Sequence, residues 1–265
     1  MRRTGSAVSI AAFLFLLVRI LGSAASHPVA SAAVELLSVI IPTLVLLALG
    51  ELRRSDQELL YPPRRDALLL FALLPLFIAL TALLSIPSTL LADLLGLNRT
   101  AALSGALPAL LFGAALLPAL VEELFCRFVC LAPLGARKTA AVWLSAILFA
   151  LLHVNFAQIP YAFCAGLLLG ALASVSGSVW IPIAFHFANN AVSLLLWYFG
   201  VDVLLAMLLM GALGLLPLFS IRIRKTARVL ICRIVPTREA WREIRAGLLS
   251  PLALPILACL LLSLL

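Results

Sequence analysis

Charge is scarce in this sequence. Only 11% of its 265 residues are Asp, Glu, Lys or Arg and 65% are hydrophobic, whereas a soluble domain carries roughly a quarter charged residues. A soluble globular fold is excluded, because no soluble core hides that much apolar surface. The Leu/Ala runs lack the polar–apolar alternation of membrane strands, which excludes a β-barrel. There is no phosphate-cradling glycine loop, no His-Glu-x-x-His helix, no Cys-x-x-Cys pair, no internal repeat and no linker between domains. The cysteines, Cys126, Cys130, Cys164, Cys232 and Cys259, are odd in number and lie mostly in apolar stretches. They read as packing residues rather than as a disulfide or metal framework.

What the chain has in abundance is hydrophobic runs on the scale of a hydrocarbon core, about 20 residues each. They cover residues 6–24, 29–50, 67–95, 105–134, 139–157, 160–176, 179–199, 203–219 and 248–265. Only helices satisfy the backbone in such runs. The expectation is an all-α polytopic transmembrane bundle of about eight or nine spans, with residues 1–265 forming a single membrane domain. The last run holds Pro251 and Pro255 and reads either as a tilted span or as a re-entrant piece.

The net charge of +8 does not point to nucleic acid, since the basic residues sit in short loops between apolar spans. With the N-terminus in the cytoplasm, the inner side receives Arg2, Arg3, Arg53, Arg54, Arg64, Arg65, Arg137 and Lys138. It also receives Arg222, Arg224, Lys225, Arg228, Arg233, Arg238, Arg242 and Arg245. All but three of the 19 Lys and Arg are thereby inside, which is the positive-inside bias. The exceptions are Arg99 in an outer loop and Arg19 and Arg127 within spans. The basic segment 220–247, with Trp241, reads either as an amphipathic helix on anionic headgroups or as a solvated cytoplasmic loop.

The N-terminus also has features of a secretory signal: Arg2-Arg3, an apolar stretch from Ala7 to Val18, and small residues from Gly22 to Ser26. Against removal stands Arg19, about 9 Å below the outer surface, with Glu35 of the next span at a matching depth. The two can pair across the first hairpin, and losing the first span leaves Glu35 bare in lipid.

Ionisable groups inside spans are costly and point to function. Three spans carry them: Val121-Glu122-Glu123-Leu124-Phe125-Cys126-Arg127, Phe149-Ala150-Leu151-Leu152-His153 and His186-Phe187-Ala188-Asn189-Asn190. At the helical rise, Glu122 lies about 18 Å from the inner end of its span, His153 about 21 Å, and His186 and Asn190 about 10 and 16 Å. These depths share one slab, so a bundle that turns these faces inward forms an intramembrane polar cavity. Glu123 precedes Arg127 by four residues, the favourable order for an ion pair. Glu122 points about 100° away, with no partner along its helix, and is left free to handle a proton or ligate a metal.

The ordered set Glu-Glu-x-x-x-Arg, Phe-x-x-x-His and His-x-x-x-Asn on hydrophobic helices resembles the CPBP family of CAAX prenyl proteases and bacteriocin-processing enzymes, also called the Abi family. The stretch Ser178-Val179-Trp180-Ile181-Pro182-Ile183 before His186 is similar as well. The resemblance covers residues 118–193, inside a core of helices at 105–200. Departures are Phe128 where the family often has Gly, and Cys126 where it often has Phe. The resemblance implies an intramembrane peptide-bond hydrolase. Glu122 and His153 would activate a water, His186 and Asn190 would hold the oxyanion or the scissile carbonyl, and Glu123 and Arg127 would support them. It leaves open whether no cofactor is required or whether a divalent metal such as zinc sits on Glu122, His153 and His186. The implied partners are the lipid bilayer and a hydrophobic or lipid-anchored peptide. The implied location is an integral membrane, the cell membrane in a bacterium. Two other classes fit the same residues: a proton-coupled transporter and a non-catalytic membrane scaffold.

Overall fold

A computed structural model describes residues 2–22, 28–97, 104–135 and 138–264 of the chain. Arg99, Arg137 and the small residues at 23–26 lie outside the described residues. Among those described there is no strand. The helices are α1 (Arg2–Gly22), α2 (Pro28–Ala48), α3 (Leu74–Leu94) and α4 (Leu107–Gly135). After them come α5 (Thr139–Leu151), α6 (Ile159–Ser176), α7 (Trp180–Tyr198) and α8 (Val203–Leu215). The chain closes with α9 (Ile221–Ile234), α10 (Arg238–Leu248) and α11 (Ala253–Leu264).

The all-α bundle is as expected. Among the described residues, four helices are long and apolar enough to cross a membrane: residues 29–48, 65–94, 107–135 and 159–176. The count reaches six if two bent pairs each make one span: α8 with α9, bent by 108°, and α10 with α11, bent by 74°. The apolar parts of α1 and α5 are shorter, at Ser6–Gly22 and Thr139–Leu151, and α7 carries His186, Asn189 and Asn190 among its apolar residues. The basic segment is helical, as two helices broken at Val235-Pro236. The run at 248–265 yields only the helix α11 after the bend.

α4 is the central helix and the irregular one. Its middle turns, Leu117–Glu123, are regular, but Leu111–Leu116 and Leu124–Leu131 are wide π-helical turns. Pro118 has no N–H and its ring crowds the carbonyl four residues back, and the wide turn just before it absorbs that crowding. α5 and α6 lie close because Gly166 and Gly170 face α5. A Cβ on Gly166 would stand 3.1 Å from Ala146 Cα, and one on Gly170 would stand 3.1 Å from Val142 Cγ1. This Gly-x-x-x-Gly spacing allows membrane helices to approach. Apolar side chains such as Leu44, Leu83, Leu90 and Leu213 stand exposed on the outer faces, which suits lipid and not water.

Several connections gather at one end. Tyr61 O accepts from Ser178 Oγ at 2.7 Å and Leu60 O from Trp180 Nε1 at 2.9 Å, tying the segment before α3 to the start of α7. Lys138 reaches Glu243 at 3.4 Å, and Trp143 Nε1 donates to Ile234 O at 2.7 Å. The α4–α5 loop and the basic helices α9 and α10 thus share that end.

Candidate active site

α4, the turn after α5, and α7 bring their polar residues to one cavity of about 840 Å³. Glu122, His153, His186 and Asn190 all line it, amid apolar walls that include Phe77 and Met207. Side chains from α3 and α8 close the remaining sides.

Deepest is a charged chain running through Glu123. Arg127 Nε donates to Glu123 Oε2 at 2.7 Å, and His186 Nδ1 lies 3.1 Å from Glu123 Oε1. Glu123 and Arg127 are fully buried. Arg127 Nη1 donates to Ser145 Oγ at 2.7 Å, and Ser145 Oγ donates to Cys126 O at 3.0 Å. A buried ion pair is tolerable only with such additional hydrogen bonds. With Nδ1 turned to Glu123, Nε2 is the ring nitrogen that His186 has left for the cavity.

The second pair is looser. His153 Nε2 lies 3.6 Å from Glu122 Oε2, and Arg19 Nη1 lies 3.6 Å from Glu122 Oε1. His153 sits in the turn just beyond α5, where its Nδ1 is 2.7 Å from Phe149 O. The next residue, Val154, has φ 47°, a left-handed conformation unusual for a β-branched side chain. Phe149 stands edge-on to both imidazoles, with ring centroids 4.9 Å from His153 and 5.5 Å from His186.

The four cavity residues, the buried Glu123–Arg127 pair and their order along the chain together form a recognisable constellation. Residues 104–192 match the family of type II CAAX prenyl endopeptidases, Rce1-like. The match covers roughly a third of the chain, holds all six residues above, and shows the resemblance to the CAAX-protease family. It supports an intramembrane endopeptidase in general, in an integral membrane protein. No curated protein and no solved structure matches the chain.

Glu122, His153 and His186, the residues that the sequence offers to a metal, all line this cavity. Among the described residues no three His, Cys, Asp or Glu side chains converge on a common point. Glu122 and His153 face each other, while His186 holds Glu123 through Nδ1 and keeps Nε2 toward the cavity.

Three features of the site are not legible in the family pattern. Asn189, beside Asn190, also lines the cavity and hydrogen-bonds the Thr81 hydroxyl of α3. Glu123, although read as Arg127's partner alone, also holds His186. Arg19 reaches Glu122 as well as Glu35. Depth carries a signal for this last contact. In a core about 30 Å thick, Glu122 lies about 12 Å from the outer surface and Arg19 about 9 Å.

Proposed function

We propose that the chain is an intramembrane endopeptidase that hydrolyses a peptide bond in a membrane-associated or hydrophobic peptide of the CAAX type. The observation that carries this reading is the facing of Glu122 Oε2 and His153 Nε2 at 3.6 Å on the cavity wall. Phe149 O can only accept, so His153 donates through Nδ1 and presents Nε2 as a bare acceptor in the neutral ring. Two acceptors at this spacing suit one water that donates a proton to each.

In the reaction, one proton of that water passes to the Glu122–His153 pair while its oxygen bonds to the scissile carbonyl carbon. The carbonyl π electrons move onto oxygen. The Asn190 amide N–H supplies a donor for that oxyanion, and His186, whose Nδ1–H is given to Glu123, adds a second from Nε2 in its doubly protonated form. Collapse breaks the C–N bond, and the proton held by Glu122 and His153 goes to the leaving nitrogen. Peptide and water become an acid and an amine, with no other reactant. Glu123, pinned by Arg127, fixes the orientation of His186.

The test uses purified protein in liposomes with a quenched-fluorescent peptide ending in an S-farnesyl cysteine and three further residues, with ion flux measured in parallel. Cleavage by the wild type and none by Glu122→Ala is expected. Ion flux without cleavage would instead identify a transporter. Membrane-peptide fragments that differ between wild-type and Glu122→Ala cells then give the substrate.

A further inference from the structure

Glu122 is held from outside its own helix. Arg19, near the end of α1, places Nη2 2.9 Å from Glu35 Oε1 of α2 and Nη1 3.6 Å from Glu122 Oε1 of α4. One guanidinium therefore faces two carboxylates from two other helices. It is seated by Phe15, one turn earlier, whose ring centre lies 5.4 Å from the Arg19 guanidinium carbon. Phe15 in turn is fully buried and stacks on Phe125 of α4, with ring centroids 4.2 Å apart. α1 is thus keyed into α4 at consecutive turns, Phe15 against Phe125 and Arg19 against Glu122.

The consequence is a division of labour between the two oxygens of Glu122. Oε1 faces Arg19 and Oε2 faces His153. Glu35 is the closer partner of the guanidinium, so Arg19 is already paired and stands off Glu122. A planar, always-charged guanidinium held this way fixes the carboxylate's rotation, and Glu35 keeps it from closing on Glu122 as a full ion pair.

We infer that Arg19 is a positioning residue for Glu122, that Glu35 sets its distance, and that the α1–α2 hairpin, outside the matched residues 104–192, completes the active site. The inference rests on the reading of Glu122 as the group that activates water. Removing Arg19 lets the carboxylate turn away from the water it shares with His153, and a misplacement of about 1 Å costs on the order of a hundredfold in rate.

Single variants strand a charge, so the main variant is the charge-neutral pair Arg19→Gln with Glu35→Gln. On the farnesylated peptide in liposomes, this double variant is expected to keep wild-type folded yield and KM while kcat falls about ten- to a hundredfold. Arg19→Lys should restore part of kcat. In a Glu122→Gln background the double change should cost nothing further, because its effect runs through Glu122. Wild-type kcat in the double variant, or the same fold-loss in both backgrounds, overturns the positioning role. Normal cleavage by Glu122→Gln alone, or no cleavage by the wild type, instead overturns the underlying hydrolase reading. One arm needs no substrate: cysteines at 19 and 122, with the five native cysteines replaced, should be bridged by a short thiol reagent. Failure to bridge overturns the placement itself.

Discussion

Adjacent carboxylates on one helix have opposite fates here because successive residues point about 100° apart. Glu123 turns into the core and finds Arg127 and His186. Glu122 turns to the cavity and meets only longer contacts, at 3.6 Å. Removing one member of a buried pair strands the other charge, at about 3–5 kcal/mol. Arg127→Ala is therefore expected to collapse the yield of monodisperse protein on size exclusion. Glu122→Gln keeps shape and polarity and should fold, but its cleavage rate should fall by about two orders of magnitude or more, the scale of a lost general base. Normal cleavage by Glu122→Gln together with a folded, inactive Glu123→Gln would reverse the roles assigned to the two glutamates.

Close crossings between helices set where these side chains can stand. α8 crosses the start of α3 at Gly214, where an added Cβ would lie 2.3 Å from Leu76 N. Three residues earlier, a Cβ on Gly211 meets only Ala79 Cβ, at an ordinary 3.8 Å. Gly214→Ala must push two backbones apart and is expected to destabilise by about 1–3 kcal/mol, read as a lower melting temperature in detergent. Gly211→Ala gains helix propensity without a clash and should melt at or slightly above the wild type. Equal behaviour of the two variants would mean that α3 and α8 do not cross there. Because α3 and α8 both wall the cavity, the Gly214 change should also reduce cleavage, whereas the Gly211 change should not.

Over the whole molecule, the ion pair of Lys138 with Glu243 and the hydrogen bond from Trp143 to Ile234 put the α4–α5 loop and the basic helices at one end. The positive-inside bias predicts that this end is cytoplasmic. Single cysteines at 138 and 245, on a cysteine-free background, should react with an impermeant thiol reagent only when the inner face is open. Reaction of either from outside overturns the sidedness. The all-helical class, the polar slab and its six residues were legible in the sequence, since apolar length, helical spacing and the cost of buried charge are properties of a single chain. The ends of the helices were not legible, because a hydrophobic run does not disclose where its helix stops: α5 stops at Leu151, before His153, and α8 bends sharply into α9. Tertiary structure alone decided the pairing. His186 goes to Glu123 and Arg19 stands at Glu122 because distances between helices depend on packing, on Phe15 against Phe125 and on Gly166 against Ala146, and helical spacing within one segment cannot fix a distance to another.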